Sequence, residues 1–413
     1  MALGQKEQSQ ARSLFESRAL HAALLLLLLL FGAYLFVWHT SRTILLDAAV
    51  YREAALRLLN AESIYDHVYE VEVEGGKLFK LYYFHTPLWA TLFIPLALQS
   101  VEQARLLWCC ILFASLLGSV AAVDVLAARS SLSSYQRSLR LLVLTFLLFC
   151  FEPVYWGFRE GQVDALILLL IAWWMVCSIS RRSILAGVIL AFAAWIKMSP
   201  VLLIIVPMLR KQWGQLLGFI IGSLLSVALV SLSPLGLAAF SDFSSHFAAL
   251  AAGSLEGHYE YNFAADISLL KPFGLHEVPA LKWIVRSMIF FGALLVLRCK
   301  PPPGSGNDYQ PYGAAICMML LLAPVLWFHH LAWLFIPVVA LACQAPVDKE
   351  SRVRFAVVLI GSLFLASQTN LLHMHALSYG GVLPHLTRLL PSLLIAGVLL
   401  LSFRLRQSQG FAP

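Results

Sequence analysis

From Leu20 to Trp38 the chain runs 19 residues without an Asp, Glu, Lys or Arg. At 1.5 Å per residue such a helix is about 28 Å long, close to the ~30 Å hydrocarbon thickness of a bilayer. Further apolar runs recur at approximately 104-127, 140-157, 163-179, 183-196, 198-209, 214-234, 280-298, 312-327, 331-345, 355-371 and 388-403. Lipid offers no partner for backbone N–H and C=O groups, so repeated runs of this kind restrict the fold to helices that satisfy themselves. Of 413 residues 60% are hydrophobic and 12% charged; a soluble domain has about 45–50% and about 25%. The expectation is an all-α polytopic membrane protein of about 12 transmembrane helices. One transmembrane domain would cover residues 20-403, between cytoplasmic tails at 1-19 and 404-413.

The basic residues fix an expected orientation. With a cytoplasmic N-terminus and one crossing per run, 17 of the 29 Lys and Arg fall inside together with six of the 22 acidic residues, as the positive-inside rule requires. Two conditions hold this parity. Pro87 to Leu98 must not cross, and at about twelve residues it suits an interfacial or re-entrant helix. Ser183 to Leu209 must cross twice, which places a break at Ile196-Lys197-Met198-Ser199-Pro200 and a cavity in the outer leaflet. Two large outer loops result, 39-103 and 235-279, and eleven of the twelve histidines fall on or near that face. The expected location is the cell membrane, multi-pass, with the active site on the non-cytoplasmic side. The net charge of +7 is spread as short clusters between apolar runs, a topology signal that leaves no nucleic-acid partner. The seven cysteines lie in or beside apolar runs without CxxC spacing, so disulfides and thiol-ligated metals are not expected.

Asp47 precedes Val50 to Leu59, whose apolar positions recur at helical spacing. It reads either as a helix N-cap or as a general base for a hydroxyl nucleophile, kept ionised by the helix N-terminus. Lys197 is the only basic residue deep inside an apolar run. It either snorkels or takes a bound phosphate as its counter-charge. Arg159 lies in Gly157-Phe158-Arg159-Glu160-Gly161-Gln162-Val163-Asp164 on the same face, where a surface pair with Glu160 competes with ligand binding. His329 and His330 are adjacent, and neighbouring helical residues diverge, so a two-histidine metal site is not expected; His329 is a candidate hydrogen-bonding partner for phosphate or sugar oxygen. A transporter or flippase for a lipid-linked or anionic solute would account for the spans and the lysine equally well.

Taken in order, these motifs resemble family 87 glycosyltransferases, the polyprenyl-phosphate-mannose-dependent mannosyltransferases of the GT-C superfamily. The resemblance rests on Asp47-Ala-Ala-Val-Tyr51-Arg-Glu-Ala54, Ala61-Glu-Ser-Ile64-Tyr65, Phe84-His85-Thr86-Pro87-Leu88, Gly161-Gln162-Val163-Asp164, Lys197-Met-Ser-Pro200 and Ala323-Pro324-Val-Leu-Trp327-Phe-His329-His330. The chain departs from the family pattern at Ala61 for glycine, His85-Thr86 for Tyr-Pro, Asp164 for asparagine and Ala323 for serine. The resemblance implies a first outer loop carrying a catalytic Asp47 and interfacial helices, with Tyr51, His85, Gln162 and Asn262 completing the candidate substrate-binding set. It also implies a polyprenyl-phosphate-linked sugar donor entering from the bilayer, a glycan or glycolipid acceptor, and inverting hexosyl transfer, mannosyl by analogy, with neither metal nor cofactor.

Overall fold

The computed structural model describes residues 2–41, 45–73, 77–127, 134–252, 264–275, 278–298, 310–323, 326–342 and 390–397. Among them the architecture is helical: α1 (Ala2–Thr40), α2 (Leu46–Leu59), α3 (Pro87–Ala97), α4 (Val101–Ala127), α5 (Ser134–Phe149), α6 (Glu152–Glu160), α7 (Asp164–Ile179), α8 (Ser183–Ile196), α9 (Ile205–Leu209), α10 (Trp213–Ser231), α11 (Ala238–Ala252), α12 (Ala265–Leu270), α13 (Pro279–Arg298), α14 (Gln310–Leu322) and α15 (Phe335–Ala342). Among the described residues the one departure from the expected all-α fold is a hairpin within 39-103, the segment expected to form the first outer loop. Strands β1 (Tyr69–Val73) and β2 (Lys77–Leu81) pair antiparallel, Tyr69 opposite Leu81 and Val71 opposite Phe79. Tyr69, Val71 and Val73 alternate with Glu70 and Glu72 ahead of Gly75-Gly76, which is a hairpin pattern in a loop otherwise read as helical.

Among the described residues, three helices are individually long and apolar enough to cross a membrane, over Arg18–Thr40, Val101–Leu126 and Trp213–Ser231. Helices α5 and α6 add a bent pair, with 62° between them. Several other expected spans are short: α7 has 16 residues and α8 has 14, about 24 and 21 Å at 1.5 Å per residue. The run 355-371, most of 388-403, the 404-413 tail and Asn262 lie outside the described residues.

Glycines set the closest packing, between α8 and α10. A Cβ on Gly187 would sit 2.0 Å from the Gln215 carbonyl oxygen, and one on Gly218 would sit 2.1 Å from that of Ile184. Backbones this close are the small-residue mode of association in lipid, where van der Waals contact replaces hydrophobic drive. At the far end of α4, buried Asp124 takes Arg137 at 2.9 Å and Arg140 at 2.6 Å, pinning α5 to α4 on the face expected to be cytoplasmic.

Three local rules shape the end that carries the motifs. Pro87 opens α3 within its first turn, where its missing N–H costs nothing. Pro200 lacks a donor and disfavours helix at the preceding residue, and α8 ends as expected, with Lys197 extended at φ −140° and ψ 118° and a 3₁₀ stretch from Ser199 to Ile204. Gly161, at φ 73°, stops α6. Its amide reaches the Phe158 carbonyl at 3.1 Å and the Gln162 amide reaches that of Gly157 at 2.8 Å, a left-handed C-terminal turn that only glycine adopts readily.

Candidate active site

The turn at Gly161 is also a docking point. The Leu45 amide donates to the Arg159 carbonyl at 3.0 Å, and the Trp108 indole N–H donates to the Gly161 carbonyl at 2.9 Å. A Cβ on Gly161 would lie 2.9 Å from both Ala48 Cβ and Leu45 Cδ2. The N-terminus of α2 therefore rests on the α6–α7 corner, and Asp47 comes against Gln162. Leu45 holds the N-cap position with φ 50°, and Asp47 is the second residue of α2. This corrects the N-cap reading, because the Asp47 carboxyl bonds the Gln162 side chain instead of capping its own helix.

The protonation expected for Asp47 changes as well. Burial outweighs the helix terminus and raises its carboxyl from the ordinary range to about 7; Lys197 and Gln162 oppose that rise and Asp164 adds to it. A carboxyl that titrates near neutrality is suited to take a proton from a hydroxyl and give it up again. Tyr51, buried one turn further along α2, donates from its hydroxyl to Gln162 Oε1 at 3.1 Å. It packs among His85, Trp89 and Phe93 at ring separations of 4.9, 5.6 and 5.7 Å. Its role in the fold is to orient Gln162. His85 is buried, with Nδ1 3.3 Å from the Ile196 carbonyl oxygen. Burial, with Lys197 nearby, lowers it to about 3, so it stands neutral.

Lys197 is not short of polar cover, contrary to expectation. Its Nζ donates to Asp164 Oδ1 at 2.9 Å and to Oδ2 at 3.1 Å, and it lies 5.4 Å from the centre of the Trp333 ring. Trp333 closes the arrangement by donating its indole N–H to the Asp164 carbonyl at 3.3 Å. Asp164, the first residue of α7, stood in the sequence only as a motif position; its place at the edge of an apolar run, with a lysine deep in another, was the available signal for a pair.

His329 and His330 open a 3₁₀ helix, Phe328–Leu334. Side chains three apart eclipse in such a helix, and His330 accordingly stacks on Trp333 at 5.1 Å and 12°, its Nδ1 accepting the Trp327 amide at 3.2 Å. The two imidazoles do not diverge as expected. Donor atoms of His329, His330 and Asp164 lie within 4.8 Å of one another, a spacing a divalent metal could use. The cation position against Asp164 is already filled by the Lys197 ammonium, so the trio fits an ion-pair centre better than a metal ligand set. His329 Nε2 stands 3.4 Å from Asp164 Oδ2 and its Nδ1 3.6 Å from Glu160 Oε2. Glu160 is the other functional candidate that sequence reasoning passed over as a surface partner. Arg159 lies over the Trp156 ring at 4.7 Å.

The fold thus brings together Asp47, Tyr51, His85, Gln162, Lys197 and His329, adds Glu160, Asp164 and His330, and leaves Arg159 at the rim. A comparison with curated proteins yields no match. A scan against protein-family models matches residues 83–368 to one described as Glycosyltransferase family 87; this range holds every residue of the site except Asp47 and Tyr51. The match covers most of the 413 residues, and the chain therefore belongs to glycosyltransferase family 87.

Proposed function

We propose that this glycosyltransferase moves a hexose, mannose by analogy, from a polyprenyl-phosphate donor to a glycan or glycolipid acceptor on the non-cytoplasmic face, with inversion. The observation that carries the reading is the convergence of Asp47 and Lys197, 150 positions apart in the chain, on one buried cluster at the ends of short helices. A lipid-phosphate sugar holds its phosphate at the membrane surface and its sugar in water, and it needs a cation and a base side by side. Asp47 takes the acceptor hydroxyl proton as that oxygen bonds C1, and the C1–O bond to phosphate breaks with its electron pair leaving on the phosphate. An ammonium has three donors; Asp164 holds two of those of Lys197, and the third faces the phosphate, with His329 beside it. One carboxylate suffices because the leaving group is already a stable anion, whereas glycoside hydrolysis needs a second, acidic carboxyl.

Membership of a glycosyltransferase family implies a sugar donor and an acceptor, which favours this reading over the transporter alternative. Incubation of detergent-purified protein with labelled polyprenyl-phosphate hexoses and glycolipid acceptors tests it: transfer of label to the acceptor with inverted anomeric configuration is expected. Transfer only from nucleotide sugars would overturn the lipid donor.

A further inference from the structure

His329 is bracketed by carboxylates at both ring nitrogens, Glu160 at 3.6 Å on Nδ1 and Asp164 at 3.4 Å on Nε2. Glu160 in turn feels the charge of Asp47 across the α2–α6 contact, and Asp164 holds Lys197. Between the proposed base and the proposed phosphate cation the groups thus stand in the order Asp47, Glu160, His329, Asp164, Lys197, at 2.9–3.6 Å from Glu160 onward and with Asp47 near enough to Glu160 for its charge to be felt. Nε2 of His329 is buried and makes no hydrogen bond among the described residues. An imidazole that passes a proton takes it on one ring nitrogen and releases it from the other, and the two nitrogens of His329 face different groups, Glu160 and Asp164. Glu160 keeps 27% of its side chain exposed against 3% for Asp164, so it is the more open of the two carboxyl groups beside His329.

Resting on the transfer reading above, we propose that Glu160 and His329 return the acceptor's proton to the departing phosphate. The acceptor O–H bond breaks toward Asp47 as the O–C1 bond forms and the C1–O–phosphate bond breaks, its electron pair staying on the phosphate oxygen. Asp47 hands the proton to Glu160, Glu160 gives it to Nδ1 of His329, and His329 releases the proton it carried on Nε2 to that phosphate oxygen. The lipid phosphate leaves as a monoanion and Asp47 is again a carboxylate, so atoms and charge balance with no external acid. Without the return, both negative charges would gather on the phosphate beside Asp164. The groups facing His329 are Glu160 of α6, Asp164 of α7, Lys197 after α8, His85 before α3 and neighbouring His330; Asp47 and Arg159 face Glu160.

Glu160 acts through its neighbours, so the test reads more than loss of activity. Glu160→Gln keeps shape and cannot relay; kcat is expected to fall at least about tenfold, with donor KM near wild type and the pH dependence of kcat flattened. Glu160→Asp, with a longer gap to His329, should recover part of the rate, and it stands in if the Gln variant fails to fold by thermal melting. The Glu160→Gln/His329→Gln double variant should be no slower than the worse single, since the two act as one unit. Wild-type kcat and pH profile in Glu160→Gln, or a raised KM at unchanged kcat, overturns the relay, and so do multiplying defects in the double variant. Asp47→Asn run alongside separates the two readings: if it is inactive while Glu160→Gln is normal, only the relay fails, and if it is fully active, the transferase assignment of the site fails with it.

Discussion

Asp47 sits where two requirements conflict. Its burial favours the protonated carboxyl, while its proposed work needs the carboxylate. Because its folded pKa is raised to about 7, the group adds stability at low pH that is lost as pH rises through about 7, and activity should run the other way. Transfer is expected to climb through neutral pH, and the limb should vanish from the residual activity of Asp47→Asn. That variant should keep its melting temperature and donor affinity while turnover drops at least about a hundredfold. Lys197 carries a second prediction, changed by its partner. Lys197→Met leaves the Asp164 carboxylate buried without a counter-charge, a loss of about 3–5 kcal/mol, read as a lowered melting temperature. Lys197→Met/Asp164→Asn should recover the stability and remain inactive. Asp47, Gln162, Lys197 and His329 were legible because each interrupts an apolar pattern or sits at a fixed motif spacing. The Asp164–Lys197 pair was not, since no local rule joins two residues whose meeting depends on how α7 and α8 pack.

Helix ends position most of the site: the second residue of α2, the turn after α6, the first residue of α7 and the break after α8. Gly161 is the joint among them. Gly161→Ala puts a Cβ at positive φ, costing roughly 1–2 kcal/mol, and drives it into Ala48, so α2 must move and Asp47 with it. A fall in kcat larger than the stability loss accounts for is expected, measured by turnover and chemical denaturation on the same preparation. Helix existence was readable from run length and the proline breaks. The hairpin was not read, because its strands are five residues each in a loop whose stronger signals are helical.

For the whole molecule, the charge distribution predicts which ends face water on which side. Single cysteines at positions 77 and 256 should react with an impermeant reagent in intact cells, and those at 137 and 349 only after permeabilisation; labelling at 137 from outside would reverse the threading. The membrane character was plain from composition, while the number of crossings was harder to read, since helices of 14 to 16 residues such as α8 and α7 fall between a span and a re-entrant piece.

The bond from Leu45 to Arg159 joins main chain to main chain, and this sets what kind of change the enzyme can absorb. Any side chain at position 159 leaves that carbonyl in place, so replacing Arg159 keeps the docking of α2. Spacing is another matter: from Gly157 to Asp164 the chain supplies, in turn, a helix-end carbonyl, the anchor for α2, the Glu160 carboxylate, the glycine turn, the Gln162 contact and the Asp164 counter-ion. One residue added or removed there would put every later group out of step with Asp47 at once, so this stretch should tolerate no change in length.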